Sequence, residues 1–160
     1  MADKRLLSSF YVEDLLFGLA VEIVQEVTSG VKLTPVPLAP PLVRGLLNLR
    51  GQIVTAIDLR RCLQLSDRPA DQMPVDLILR TDDGGTSLLV DRVGDVLEVD
   101  DADFEPPPAT LRGRLQELIR GAYKLDGRLL LALEPAKVLS EIATVVPSSS
   151  DRASSRAGNL

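Results

Sequence analysis

Residues 43–60 read Val43-Arg44-Gly45-Leu46-Leu47-Asn48-Leu49-Arg50-Gly51-Gln52-Ile53-Val54-Thr55-Ala56-Ile57-Asp58-Leu59-Arg60. Two apolar β-type segments, Leu46–Arg50 and Gln52–Leu59, meet near Gly51, a residue that takes φ > 0 at little steric cost, so the stretch predicts a hairpin. Asn48, Arg50 and Asp58 interrupt the apolar pattern where no catalytic partner stands nearby. On pattern alone this is an ordinary hairpin with a solvent-facing Arg50.

Two further hairpins follow from the same logic. Val75–Arg80 and Thr86–Val90 flank Asp82-Asp83-Gly84-Gly85, and Ile119–Leu125 and Arg128–Leu133 flank Asp126-Gly127. Upstream, Phe10–Val12 and Leu16–Val27 lie either side of Glu13-Asp14, with Leu19, Val21 and Ile23 on one alternating face. Residues 34–41 break regular structure with four prolines, and a short helical turn is expected at Leu42–Leu46. Thr110 is placed to cap a helix bearing Leu111, Leu115, Leu118 and Ile119 on one face, and Pro135 to open another bearing Val138, Leu139 and Ile142. Short strands at close spacing with few helical periods predict a barrel or sandwich. From Pro147 the serine-rich sequence offers little apolar surface and reads as a disordered tail.

The chain has 160 residues, enough for one domain or two small lobes sharing a core, and 45% hydrophobic residues to fill it. A net charge of −5 and 3% aromatic content argue against nucleic acid, which is bound by basic patches and aromatic stacking platforms. The longest apolar stretch, Leu15–Val21, has seven residues, against about 20 for a bilayer-spanning helix, so no membrane insertion is expected. No signal peptide is read at the N-terminus, and a lone cysteine suits the reducing cytoplasm. There is no histidine, which removes Ser-His and Cys-His nucleophile pairs and imidazole-bound zinc.

The remaining candidates have plain readings. Asp82-Asp83 and the run Asp100-Asp101-Ala102-Asp103-Phe104-Glu105 lack the spacing and glycine of a Ca²⁺ loop and read as solvated turns. Cys62, with no histidine to activate it, reads as a small packed apolar residue. The glycines form no phosphate loop. No metal, cofactor or catalytic residue is expected.

At several points the chain resembles the CheW-domain family of bacterial chemotaxis coupling proteins. Gly45-Leu46-Leu47-Asn48-Leu49-Arg50-Gly51 is similar to the family's NLRG core, and Ile57-Asp58-Leu59-Arg60 to its DLR close. Phe17–Val21 with Val24-Gln25-Glu26-Val27, Leu89–Val96, and Ile119–Leu130 resemble its opening, central and final segments in order. The resemblance spans roughly Phe10–Leu139. Departures fall at Leu15-Leu16, Thr55-Ala56 and the acidic, proline-rich 100–108.

The resemblance implies a mostly β fold of two packed five-stranded SH3-like β-barrels with short helical connections. The chain then divides into an N-terminal extension at 1–9, the domain at 10–146 and the tail at 147–160, of which Ser148–Leu160, with little apolar surface to bury, is expected to be dispensable for kinase binding. It implies a non-enzymatic adaptor coupling the cytoplasmic tip of chemoreceptors to the regulatory domain of a CheA-type histidine kinase. That regulatory domain is itself CheW-like, so ring assembly is implied, with a cytoplasmic protein recruited to receptor arrays at the inner membrane. The alternatives are a coupling protein for twitching motility or second-messenger control, without a fused receiver, and a small carboxylate enzyme working in an inter-barrel cleft. Partner-binding positions carried over are Val24, Glu26, Val27, Gly45, Asn48, Arg50, Gly51, Ile53 and Val96, with Glu26 and Arg50 expected to pair. Strand alternation predicts that Leu19, Val21, Ile53, Ile57, Leu77, Leu79, Leu89, Leu129 and Leu131 are buried.

Overall fold

The computed structural model describes residues 3–81 and 85–145, with side chains described through Ser140. Among these, the strands in chain order are β1 (Lys4–Val12), β2 (Leu15–Ala20), β3 (Val24–Ser29), β4 (Val43–Leu49), β5 (Gln52–Asp58), β6 (Val75–Leu79), β7 (Thr86–Val90), β8 (Arg92–Asp100), β9 (Phe104–Glu105), β10 (Ile119–Leu125) and β11 (Arg128–Leu133). Helices α1 (Leu59–Cys62), α2 (Gly113–Leu118) and α3 (Pro135–Val145) and a 3₁₀ turn at Asp101–Asp103 join them.

The strands form two sheets, ordered β8-β1-β2-β11-β10-β9 and β3-β6-β7-β5-β4. The second sheet, lobe 2, is inserted into the first, lobe 1. The chain crosses into lobe 2 through Val21–Ile23 and back through Asp91 alone. Instead of five strands in each lobe, lobe 1 has six, counting β9, which pairs Phe104 and Glu105 with Tyr123 and Ala122.

Continuous aliphatic runs build the junction because both faces of the central strands are buried. Leu77, Leu79, Leu88, Val90, Leu131 and Leu133 enter a core shared by the sheets, joined by Phe10, Phe17, Leu19 and Ile57. Their strand neighbours Ile78 and Leu89 point the other way, into a lobe 2 interior with Leu47, Val54 and Ala56. Leu130 and Ala132 point into a lobe 1 interior with Leu7, Leu16 and Tyr123. Each sheet therefore curls around its own small core and presses its back against a common one. Every fully buried leucine there contributes about 1.5–3 kcal/mol.

Several expectations need correction. Ile53 and Leu129 are exposed, because each stands beside a hairpin turn where the strands outrun the core, and Val21 is half-buried in the crossover. Residues 42–46 form no helical turn: β4 begins at Val43, where Leu46 and Thr34 exchange backbone hydrogen bonds of 2.7 and 2.8 Å. The segment read as one strand from Leu16 to Val27 is two, divided between the sheets. Helix α2 starts at Gly113 rather than after Thr110, and Ile119 belongs to β10. Strand β1 begins at Lys4, inside the segment read as an extension, where it pairs with β8. The turn Asp82–Gly84 and the serine-rich tail lie outside the described residues.

Candidate functional site

The hairpin at 43–58 turns on two residues, Arg50 and Gly51, with Leu49 paired to Gln52. Both have positive φ, 53° and 84°, the geometry of a type I′ turn, whose backbone twist matches that of the flanking strands. For Gly51 this is free; for Arg50 it costs on the order of 1 kcal/mol. Two contacts hold the turn in place. The Asn48 Oδ1 accepts from the Gly51 N–H at 2.9 Å. The Arg50 guanidinium grips Glu26 bidentately, Nη1 to Oε2 at 2.6 Å and Nη2 to Oε1 at 3.3 Å. Glu26 lies on β3, one edge of the lobe 2 sheet, whereas Arg50 follows β4, the other edge, so the pair ties the curled sheet together. Ile53, opposite Asn48, is exposed beside this tip. Gly45 lies beneath the surface: it has φ 150°, and a Cβ there would meet the Thr34 carbonyl oxygen at 2.7 Å. Its place in the fold is the close approach of two backbones.

The other carried-over positions fall on two sheet edges built alike. In β3 one extra residue sits between Val24 and Glu26, so Val24 pairs with Leu79 and Val27 with Leu77, both on the shared-core face. In β8 an extra residue between Val96 and Val93 puts those valines opposite Ser8 and Phe10, again on that face. Val24 is half-buried, whereas Val27, Val93 and Val96 are 47%, 41% and 57% exposed. Val24 packs against the shared core, and Val27, Val93 and Val96 stand exposed on the same faces of the two edge strands. Edge bulges keep such strands from pairing freely with other sheets.

A buried polar cluster was not anticipated. Asp91 accepts from Arg60 Nε at 2.9 Å and Nη2 at 2.5 Å, from Arg68 Nε at 2.9 Å and from the Glu13 backbone N–H at 2.7 Å. Arg68 also reaches Asp58 at 3.4 Å. Burial alone would raise the Asp91 pKa, but the hydrogen bonds from Arg60, Glu13 and Arg68 hold it at about 2. The bond to Asp91 in turn raises the Arg60 pKa. Asp76 behaves oppositely: burial raises its pKa, only partly offset by the Ser87 hydroxyl donating at 2.8 Å. The signal was present in the sequence, since Asp76 and Asp91 interrupt or end aliphatic runs where a charge demands a partner.

No group of potential metal ligands occurs among the described residues. A cleft of about 610 Å³ is lined by Lys4, Arg5, Arg120, Leu7, Gly18 and Ala132 among others, and none of the buried carboxylates borders it. Cys62 packs in the shared core. No described helix is long and apolar enough to cross a membrane.

Comparison with known proteins agrees with these features: the CheW-like domain matches residues 7–143. The chain belongs to this family. It is 30% identical over 130 residues to the chemotaxis protein CheW of Rhizobium meliloti (strain 1021), covering 81% of this chain and 84% of that protein. With the CheW of Thermotoga maritima it shares 29% over 134 residues, covering 84% and 87%. Its fold is similar to the crystal structure of the scaffolding protein TtCheW from Thermoanaerobacter tengcongensis, with a TM-score of 0.74 and 26% identity over 82% of this chain and 90% of that one. As a CheW-like protein the chain is a non-catalytic chemotaxis scaffold.

Proposed function

We propose that this CheW-like protein couples the cytoplasmic tip of chemoreceptors to the regulatory domain of a CheA-type histidine kinase, and that β3 and β8 supply the contacts. The supporting observation is the pair of bulged edges, which leave Val27, Val93 and Val96 exposed on strands of both lobes. Exposed apolar positions with charge at their rim are the arrangement of a non-obligate interface, and Arg is among its enriched residues. Glu26 and Arg50, with Asn48, Gly51 and Ile53, form a second element at the hairpin tip, where a planar guanidinium already fixed by a carboxylate presents its remaining donors to a partner. Recruitment to receptor arrays at the inner membrane then follows from the receptor contact.

Titration calorimetry tests this, with the regulatory domain of the kinase and a helical-hairpin fragment of a receptor tip from the same organism as separate titrants. The wild-type protein binds both, and Val27→Glu or Val96→Glu abolishes at least one of the two interactions while the fold persists. Failure of the wild-type protein to bind either titrant overturns the proposal.

A further inference from the structure

Besides the shared core, two segments among the described residues connect the lobes, and one of them is the single residue Asp91. Its backbone N–H donates to the Tyr11 carbonyl at 3.0 Å, and its carboxylate accepts from the Glu13 N–H, so it is fastened to the β1–β2 hairpin of lobe 1. The same carboxylate accepts from Arg60 in α1 and Arg68 in the segment that follows, both anchored to lobe 2. Arg60 also donates to the Ser66 carbonyl at 3.1 Å and pairs with Glu13 at 3.7 Å, while Arg68 reaches Asp58 at the end of β5. Four hydrogen bonds thus converge on the carboxylate of one linker residue, from both lobes. Two residues further on, β8 presents Val93, then Val96.

We infer that the Arg60–Asp91–Arg68 cluster is an orientation pin: it fixes lobe 1 against lobe 2 at the crossover, and Arg68 is a positioning residue for partners that touch both edge strands. A pin at this place acts on binding because β3 belongs to one lobe and β8 to the other, so their mutual placement depends on the angle between lobes. If a partner accepts only one angle, affinity falls in proportion to the fraction of molecules that hold it. The binding arm of this inference rests on the proposed coupling function; the orientation arm does not.

Arg68→Met is the informative variant, because Asp91 keeps both bonds from Arg60 and the bond from Glu13. Residual dipolar couplings of the whole chain are measured for the wild type, for Arg68→Met and for Val54→Ala, a change in the lobe 2 core that removes no hydrogen bond of the cluster. The expected result is one alignment tensor for the wild type and for Val54→Ala, and two distinct tensors for Arg68→Met. Calorimetry with the kinase regulatory domain and the receptor-tip fragment follows, and Arg68→Met weakens any partner requiring both edges by about tenfold, as if a tenth of molecules were competent. A single tensor for Arg68→Met overturns the inference and leaves the cluster a stabilising feature. Two tensors for Val54→Ala overturn it as well, since general destabilisation would then suffice. Should the wild-type protein bind neither titrant, the coupling proposal fails while the tensors still decide the pin.

Discussion

The two edges, β3 and β8, share a plan and differ in how they are braced. Each carries a bulge and two valines three residues apart on the shared-core face. Strand β3 is braced by Glu26 and Arg50, a pair in which the arginine side chain is 75% exposed. Strand β8 begins beside Asp91, whose carboxylate is buried among arginines. Exposed pairs are screened and contribute about 0–1 kcal/mol, whereas a buried ion that loses its partner is costly. The same presentation of valines is therefore maintained by weak, adjustable electrostatics in one lobe and by a structural commitment in the other.

Removing Arg60 breaks the comparison most severely. Arg60→Met leaves Asp91 buried without its bidentate donor, and urea unfolding is expected to show a loss of about 3–5 kcal/mol. Acid provides a graded version. The folded-state pKa of Asp91, about 2, lies below its ordinary 3.8, so its contribution is complete above 3.8 and lost as pH falls toward 2. That loss is about 2 kcal/mol and is read as a stability slope that Asp91→Asn removes. Asp76, shifted upward, contributes with the opposite sign, its protonation favouring the fold, so Asp76→Asn is expected to steepen the acid loss.

At the other edge, Arg50→Ala should change folding by no more than about 1 kcal/mol yet weaken partner binding by about 2 kcal/mol or more, measured by unfolding and calorimetry in parallel. Equal losses in both measurements would make the two braces alike. The smallest effects belong to the valines themselves. Val27→Ser and Val96→Ser should each shift folding by about 0.5 kcal/mol or less, the usual range for exposed positions. A larger shift at either would mean that the edge is covered in the free protein.

Much of this architecture was legible in the sequence, and the failures share a cause. Gly51 and Asp126-Gly127 marked hairpins because turn geometry is local chemistry, and the Glu26–Arg50 pair followed from family resemblance. Alternation placed Ile57, Leu77 and Leu131 correctly but not Ile53 or Leu129, because a period of two identifies a face and not how far the core extends beneath it. The segment 42–46 looked helical until Thr34, brought in by the proline-rich connection, supplied backbone partners for Leu46. Asp58 and Asp91 stand 33 positions apart in the chain, with Arg60 and Arg68 between them, and only the fold gathers the four.

The insertion of lobe 2 into lobe 1 also orders the birth of the molecule. Strand β1 emerges first from the ribosome, yet its contact with β8 must wait until residues as distant as Asp101 meet Arg5, 96 positions later. Lobe 2 is assembled from consecutive chain and can close sooner, since short loops cost less entropy to form. During that interval Leu77, Leu79 and Leu88 lack Leu131 and Leu133, which complete their core. The nascent chain thus carries, for as long as β8–β11 take to be synthesised, a temporary sticky face that the finished protein hides.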